Sequence, residues 1–216
     1  SLTVEDVDGN IFRISTTKPL TITRNHIQPM AALEVKFNVQ ADDEIWYITS
    51  DNEVMHGFFS DAFDQSVISN TYSDGKGIIK FDAPITSIGE NAFYNCKRLA
   101  SVTIPDGVTW IGANIFKGCS KLASVTIPDS LTWIGADAFS GCSSLTSITI
   151  PNGVTYIAYG TFENCRNLTT VVFGNRLKSI GSRAFAGCWR LVNMTIPRSV
   201  TEIANDAFEA CHSRRW

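Results

Sequence analysis

Six cysteines recur at a constant interval, and this interval constrains the fold more than any other feature of the chain. They are separated by 23 residues and stand at Cys96, Cys119, Cys142, Cys165, Cys188 and Cys211. A phenylalanine precedes each of them by three residues, from Phe93 to Phe208. Self-similarity at a fixed period indicates stacked units, in which each unit covers the apolar face of its neighbour. The sequence therefore predicts a solenoid over residues 76–216.

One repeat, LASVTIPDGVTWIGANIFKGCSK at residues 99–121, shows how a single coil is built. It begins as a short strand with alternate residues buried, and Pro105 ends this strand because proline cannot donate to a ladder. A second extended piece follows, and then a short helical or 3-10 turn. The positions predicted to face inward are Leu99, Val102, Ile104, Val108, Ile111, Phe116 and Cys119.

The pattern LxxVxIPxxVxxIGxxAFxxC recurs in six consecutive units over about residues 76 to 213. It resembles the leucine-rich repeats of the BspA-like (Treponema-type) family of bacterial surface proteins. The stretch at residues 60–96 also looks like the opening segment of these proteins. The resemblance implies a leucine-rich-repeat solenoid: a right-handed β/α-type coil of 23-residue repeats, with parallel strands and short helical or 3-10 turns. It also implies a secreted or cell-surface protein, free or held by a lipoprotein anchor, with a role in adhesion.

Several positions depart from this pattern. Lys76 replaces the leading leucine of the first repeat, as expected of a capping repeat. Gly174 replaces the proline that ends the first strand, and Ala158 and Ala204 replace the glycine of the IG pair. Arg214 stands where the next leucine would fall, and no polar C-terminal cap is visible.

The last repeat is therefore expected to expose part of its apolar core. Its inward positions Val200, Ile203 and Phe208 have no following coil to cover them. Exposed apolar flanks and strand edges are normally covered. Either end-to-end association or folding back of the last residues is expected to cover this flank.

Residues 1–43 do not follow the period. They contain short β-like stretches at IFRIS, LTIT and LEVKFNVQ, and Asp8-Gly9 is a hairpin signal before Ile11–Ile14. We expect an N-terminal β-domain or β-cap at residues 1–43, an irregular junction and cap at 44–75, and the solenoid of about six coils at 76–216.

The cysteines allow three interpretations. Disulfides are the usual state in small secreted proteins. One cysteine per coil, however, gives a row with rungs of about 4.8 Å, whereas bridged Cβ atoms lie about 3.8 Å apart. Zinc is less favoured still, because a straight row without CxxC cannot supply four converging ligands. Six buried, reduced thiols are therefore predicted, since free cysteine is readily buried.

No motif indicates catalysis or a cofactor. The stretch DVDGN at residues 6–10 has the first ligand spacings of an EF-hand loop but lacks the required glycine and glutamate, so a hairpin is favoured. His26, His56 and His212 fall in three different regions, and no GxSxG, HExxH or phosphate-binding glycine loop occurs. The sequence predicts no enzyme, no metal and no cofactor.

Charge and hydropathy argue against nucleic-acid binding and against a membrane-spanning segment. The net charge is −3 without a basic block, which argues against a nucleic-acid-binding protein. No apolar run approaches the roughly 20 residues that span a bilayer.

Two outward columns on the first strand of each coil are polar. Stacked Ser and Thr favour a solvated sheet, and a polar binding face is the alternative. The columns consist of Ser101, Ser124, Ser147, Thr170 and Asn193, and of Thr103, Thr126, Thr149, Val172 and Thr195.

A third outward column is aromatic, and it is the preferred candidate binding site. In the slot after VT, successive coils carry Ser87, Trp110, Trp133, Tyr156, Ser179 and Glu202. Three consecutive aromatic residues would form a ladder roughly 10 Å long, and Tyr159 would extend it. Trp and Tyr supply contact area at low entropic cost, so the ladder suits a protein surface or the rings of a glycan. The alternative is that the rings only stack on one another or under the N-terminal segment.

These observations leave three functions open. The preferred one is a non-enzymatic surface or secreted protein that binds proteins or mediates adhesion to host or bacterial surfaces. The second is a glycan-binding module that uses the aromatic ladder, and the third is a structural repeat domain of a larger surface protein.

Overall fold

The computed structural model describes residues 40–211 and the backbones of two N-terminal strands, β1 (Leu2–Glu5) and β2 (Ile11–Ile14). The chain forms two compact units, residues 1–38 and 39–216. In the first, β1 and β2 pair antiparallel from Leu2–Ile14 to Glu5–Ile11, as a hairpin requires. The predicted Asp8-Gly9 turn, the DVDGN stretch, the β-like stretches at 20–23 and 33–39, His26 and His212 lie outside the described residues.

In its described residues, 40–211, the second unit has fourteen short strands and one 3-10 helix, Ser60–Ala62. Its strands are β3 (Glu44–Thr49), β4 (Val67–Ser73), β5 (Lys76–Phe81), β6 (Ser87–Ile88), β7 (Leu99–Thr103), β8 (Trp110–Ile111), β9 (Ser124–Thr126), β10 (Trp133–Ile134), β11 (Ser147–Thr149), β12 (Tyr156–Ile157), β13 (Thr170–Val172), β14 (Ser179–Ile180), β15 (Asn193–Met194) and β16 (Glu202–Ile203). We number the coils 1 to 6 by the cysteine at which each ends, from Cys96 to Cys211. From coil 2 onward each coil holds one pair of strands.

The strands of successive coils stack in parallel at the predicted period. Ser101, Val102 and Thr103 of β7 lie beside Ser124, Val125 and Thr126 of β9, and β13 pairs with β15 in the same way. The seven inward positions predicted for coil 2, from Leu99 to Cys119, are all at most 2% exposed. The solenoid, its period and its inward columns are thus confirmed.

Turns complete each coil, and each turn is closed by single hydrogen bonds between residues three apart. In coil 2, Lys117 N–H donates to the Asn114 carbonyl and Cys119 N–H to the Phe116 carbonyl, both at 3.0 Å. Two positions per turn have a left-handed backbone, with φ near +55° to +77°. Glycine and asparagine adopt this conformation most easily, and they dominate both columns. The columns are Asn91, Asn114, Asp137, Gly160 and Arg183, and Asn95, Gly118, Gly141, Asn164, Gly187 and Ala210.

A stack of phenylalanine rings forms the centre of the core. Rings from Phe93 to Phe208 stack with centroids 5.2 to 5.4 Å apart and interplanar angles of 5° to 24°. Phe58 and Phe63 cover its N-terminal end, at 6.2 and 5.8 Å from the Phe93 ring. The stack therefore begins against rings from outside the repeat.

The cysteines form the predicted inward row. All six are free thiols, five of them buried and Cys211 half-buried. From Cys119 onward each Sγ donates to the phenylalanine carbonyl of the preceding coil at 3.0 to 3.2 Å. Burial raises the pKa of the Cys96 thiol to about 11, and it raises the pKa of the Cys142 and Cys165 thiols well above the ordinary value. The row therefore bonds one coil to the next through neutral thiols.

Residues 44–75 are more regular than the predicted irregular junction. Strand β3 lies between β5 and β7 and runs antiparallel to both, so the sheet order is β4-β5-β3-β7-β9. The side chain of Tyr47 on β3 is buried, and its hydroxyl donates to Asn70 Oδ1 at 2.6 Å and accepts from Met55 N–H at 3.1 Å. The sequence does not reveal this strand because its partners lie outside the repeat period.

Pairing between the strands of successive coils is broken at one boundary within residues 40–211. Thr132 N–H donates to the Thr109 carbonyl at 2.8 Å, and Lys178 N–H donates to the Thr155 carbonyl at 2.8 Å. Between them, within residues 40–211, Thr155 N–H makes no such bond to coil 3, and neither β9–β11 nor β10–β12 is paired. We call this boundary between coils 3 and 4 the seam.

The seam is open only on the strand side. The turns of the same two coils stay bonded, since Phe139 N–H donates to the Thr161 carbonyl at 2.8 Å. On the strand side, Val125 and Ile127 become partly exposed, whereas Val102 and Ile104 of coil 2 are 2% exposed. The two coils are therefore hydrogen-bonded at their turns and unpaired at their strands.

A residue that breaks the repeat lies at the seam. Ala158 replaces the glycine of the IG pair, and a Cβ built on the equivalent Gly112 or Gly135 would come within 2.6 or 2.4 Å of the preceding coil's backbone. A methyl group at this position therefore needs a wider gap. Ala204 also replaces this glycine yet keeps its bond to the Ile180 carbonyl at 3.0 Å, so the methyl group alone does not account for the opening.

Coil 6 exposes part of its apolar core, as predicted. Ile203 is 42% exposed, whereas Ile180 in the same slot of coil 5 is 2% exposed. Val200 and Phe208 are half-buried. Residues 212–216, Arg214 among them, are outside the described part, so both predicted ways of covering this flank remain predictions.

Candidate functional site

The aromatic column, which we define as Trp110, Trp133 and Tyr156, stands on the second strand of coils 2, 3 and 4. Each residue directly precedes a fully buried isoleucine, so the pleat turns its side chain outward. Trp110 and Trp133 are register partners across β8 and β10. The column continues at each end into serine, since Ser87 pairs with Trp110 and Ser179 with Tyr156.

The rings of the column keep part of their surface in solvent. Trp133 is 42% exposed, and Trp110 and Tyr156 are half-buried. The centroids of Trp133 and Tyr156 lie 6.2 Å apart across the seam, and their planes are tilted by 40°. The inward phenylalanine rings, by contrast, are nearly coplanar and, through coil 5, fully buried. The outward rings are therefore not closed into a comparable stack.

Tyr156 leans towards coil 5. Its hydroxyl lies 2.7 Å from the point at which a Cβ on Gly181 would stand. The absence of a side chain at Gly181 thus leaves the room that the phenol occupies. Tyr159 follows in the turn and is 47% exposed, and its carbonyl accepts from Asp137 N–H at 2.8 Å. It lies beside the column rather than in line with it.

The three segments that carry the column contain no charged residue. Residues 109–113, 132–136 and 155–159 read TWIGA, TWIGA and TYIAY. The threonine hydroxyl of Thr132 donates to the Thr109 carbonyl at 3.0 Å, which ties the flank of the column to the coil before it. A neutral surface of hydroxyl groups and aromatic rings suits a neutral ligand.

A depression lies at each end of the column. One, of about 720 Å³, lies between Ser87 of coil 1 and the 3-10 helix, and Asp61, Asp64 and Glu90 line it. The Asp64 carboxylate there accepts from the N–H groups of Thr86 and Ser87 at 2.9 and 3.2 Å. The other, of about 540 Å³, is lined by Tyr156, Ser179 and Glu202. The sequence does not indicate the first depression, because the helix that forms it lies outside the repeat.

The predicted polar strand columns are polar in coils 2, 3, 4 and 6. Ser124, Ser147, Thr126 and Thr149 are exposed, and so are Asn193 and Thr195 of coil 6. In coil 5 the threonine column changes to Val172, which is 52% exposed. Ser101 and Thr103 are half-buried, and the strand that carries them pairs with β3.

The buried cysteines are poor nucleophiles. Burial raises the pKa of the five buried thiols, so they are held in the neutral form, which is the weaker nucleophile. Across residues 40–211, no group of three or more His, Cys, Asp or Glu side chains could hold a metal ion. The described part also has no helix long and apolar enough to cross a membrane.

Comparison with known proteins gives a family match. The family described as BspA type leucine-rich repeat region matches residues 86–215 in six copies. None of the curated proteins matches the sequence.

Solved structures of bacterial proteins are similar to the chain over part of their length. A leucine-rich repeat protein from Bacteroides ovatus is 27% identical, with 80% of this chain and 51% of that chain covered and a TM-score of 0.47. A leucine-rich cell surface protein from Faecalibacterium prausnitzii is 30% identical, with 86% and 53% covered and a TM-score of 0.46. The chain thus spans about half the length of these two proteins.

Proposed function

Because the chain belongs to the BspA-type leucine-rich repeat family of bacterial proteins, we propose that it is a non-enzymatic recognition module that binds a protein on a host or bacterial surface through the aromatic column. The observation that carries the proposal is the run of Trp110, Trp133 and Tyr156 in a slot that holds serine on both sides. A solvated strand needs no tryptophan, and Trp and Tyr are the residues that dominate the energetics of protein interfaces.

The scaffold supports this role because it holds the rings in fixed positions. Ile111, Ile134 and Ile157, which follow the three aromatic residues, are fully buried, so the backbone under each ring is anchored in the core. A rigid aromatic side chain loses little entropy on binding. The backbone under each ring is therefore pre-organised within its own coil, and the seam separates Trp133 from Tyr156.

We place the protein at the cell surface or in the secreted fraction, free or on a lipoprotein anchor. One similar solved structure is of a protein called a cell surface protein, which supports this location. Fractionation of the native host with an antibody against residues 40–211 tests it, and recovery only from the cytoplasm would contradict it.

A second candidate is a glycan-binding module that uses the same column. The neutral, hydroxyl-rich surroundings favour it, because the negative face of an aromatic ring attracts the polarised C–H groups of a sugar. This feature fits a ligand with flat, neutral rings.

The test is the double substitution Trp110→Ser with Trp133→Ser, which installs the residue that this slot holds at Ser87 and Ser179. The matched control is Trp189→Ser, because Trp189 is 45% exposed and lies outside the aromatic column. We expect the double variant to bind its partner more than tenfold more weakly, and the control to bind normally. Binding is measured against arrays of surface proteins and of glycans, beside thermal unfolding.

The outcomes separate the candidates. Loss on protein arrays supports the protein-binding module, and loss on glycan arrays supports the second candidate. If the double variant unfolds at lower temperature while binding on both arrays is unchanged, the column only stabilises the solenoid, and the chain is a structural repeat domain.

A further inference from the structure

Coils 5 and 6 carry a depression on the first-strand face, separate from the aromatic column. Apolar side chains line it together with Thr170, Asn175, Asn193 and Thr195. Val172 stands where four other coils have threonine, and it is 52% exposed. Val192 on the next coil is 61% exposed. Together with the half-buried Phe173 and Met194 they line a depression of about 570 Å³. We call this surface the valine patch.

Val172 is not exposed because its strand lies at an open edge of the sheet. Its strand β13 has hydrogen-bonded neighbours on both sides, β11 and β15, so neither side of the strand is open. Thr149, its partner on β11, keeps the usual residue of the column. A threonine would fill the position and be better solvated, so packing within the coil does not explain the valine.

Two arginines directly follow residues that line the valine patch. Arg176 directly follows Asn175, and Arg198 directly follows Pro197, and Asn175 and Pro197 both line the depression. Both arginines are exposed, and neither has an acidic partner within the described residues. In the column of Arg198 the earlier coils carry Asp106 and Asp129, so the charge at this position reverses along the solenoid.

The carboxylates of the same half of the molecule are used elsewhere. Residues 151–211 contain six basic and four acidic residues, net +2, whereas residues 40–150 contain six basic and thirteen acidic residues, net −7. Glu163 and Glu209 both pair with Arg183 at 2.7 Å, and Asp206 accepts from Ser182 Oγ at 2.8 Å. Glu202 lies on β16, which belongs to the sheet β12-β14-β16 and not to the sheet β11-β13-β15 that carries Val172. No carboxylate therefore lines the valine patch.

We propose that the valine patch is a docking surface for an acidic peptide segment with apolar side chains. An apolar side chain of the segment covers Val172 and Val192 in the depression, and flanking carboxylates pair with Arg176 and Arg198. Apolar anchoring at the centre and complementary charge at the rim are the usual division of roles in a protein interface. A polyanion without apolar groups would leave the two valines exposed, and the depression is far smaller than the surface that a bilayer would cover.

The experiment measures fluorescence anisotropy of a fluorescein-labelled peptide in which Glu alternates with Leu. A peptide in which Lys alternates with Leu tests the need for negative charge. A peptide in which Glu alternates with Ser tests the need for apolar side chains. We expect only the Glu–Leu peptide to bind, and its affinity to fall as salt is added, because exposed charge pairs are screened.

Two substitutions install residues that other coils already carry, which keeps the fold. Val172→Thr restores the residue of the column, and we expect about fourfold weaker binding from the lost methyl contact. Arg198→Asp restores the charge of coils 2 and 3, and we expect about tenfold weaker binding at low salt. Lys121→Ser, which removes a charge from coil 3 and installs the residue of Ser144, is the control and should bind like the wild type.

Several results would overturn the proposal. If the Glu–Leu peptide binds the wild type and the double variant Val172→Thr/Arg198→Asp equally well, the valine patch does not bind the peptide. Preferential binding of heparin that Val172→Thr does not weaken would make this a general anion site. Preferential binding of phosphatidylglycerol vesicles would make it a membrane contact. The aromatic-column variant retains this peptide binding if the two surfaces are independent.

Discussion

Each buried thiol keeps its proton because the surrounding core stabilises the neutral form. A second cause adds to burial. Repulsion between neighbouring thiolates also raises the pKa of Cys119, Cys142, Cys165 and Cys188. The same S–H group donates to a phenylalanine carbonyl, so it satisfies an acceptor that alanine would leave with one bond fewer. Cysteine thus serves here as a small apolar residue with a weak donor.

The raised pKa values predict a loss of stability in alkaline solution. The unfolded chain releases thiol protons as pH rises through the ordinary value near 9, whereas folded Cys96 keeps its proton to about 11. Above the ordinary value the unfolded state therefore binds fewer protons, and the free energy of unfolding falls as pH rises. Below that value the contribution is fully present. Urea unfolding at several pH values measures the slope.

The control for this prediction is the double variant Cys142→Ala with Cys165→Ala. It removes two thiols whose pKa burial raises, so its stability should fall less steeply with pH, although it starts lower. An unchanged slope would mean that other groups cause the alkaline loss.

At the scale of the strand, the seam predicts a local difference in hydrogen exchange. Thr155 and Ala158 lack the bonds to the preceding coil that Thr132 and Gly135 make at 2.8 and 2.9 Å. Amides without such bonds exchange faster. We therefore expect the amides of Thr155 and Ala158 to exchange faster than those of Thr132 and Gly135.

Ala158→Gly is expected to narrow the seam, because it removes the methyl group that faces the backbone of coil 3. Exchange at Thr155 should slow down. Ala204→Gly is the matched control, since Ala204 already makes its bond, and it should leave exchange at Thr155 unchanged. Equal exchange at Thr155 in wild type and Ala158→Gly would show that the methyl group does not hold the seam open.

The sequence predicts the repeating part of the fold well and the rest poorly, for a physical reason. Val102, Ile111 and Phe116 could be placed inward because the same residue types recur at the same phase. Strand β3 could not be found, because Tyr47 packs against residues that follow no period. The seam also escapes prediction: Ala158 and Ala204 make the same substitution, yet only one lies where the coils part.

The candidate site shows the same division. The outward direction of Trp110 and Trp133 followed from their position between inward residues. Their tilt and exposure did not, because these depend on neighbouring side chains such as Tyr156 leaning over Gly181. The valine patch was visible in the sequence only as Val172 in a threonine column.

At the scale of the whole molecule, contacts run almost entirely between neighbouring coils. Backbone and thiol hydrogen bonds join residues one coil apart along the length of the solenoid, as when Cys142 Sγ bonds to the Phe116 carbonyl. Such a molecule approximates a sum of coil stabilities and nearest-neighbour interfaces. Removal of one complete coil should therefore preserve the fold.

Deletion of residues 122–144, which is one period, joins Lys121 to Leu145 and keeps every column in phase. We expect a folded protein with a native-like circular dichroism spectrum and cooperative unfolding at a lower temperature. Deletion of residues 122–133, about half a period, puts the columns out of phase and should abolish folding. Similar spectra and unfolding for the two deletions would contradict a coil-by-coil architecture.

The cysteine row joins the same two atoms, a Sγ and a phenylalanine carbonyl 26 residues earlier, from one coil to the next. A genetic duplication or loss of one repeat therefore creates no new kind of contact; it copies or removes an existing one. The number of coils can therefore change without a new type of contact, and a surface feature such as the valine patch moves together with the coils that carry it.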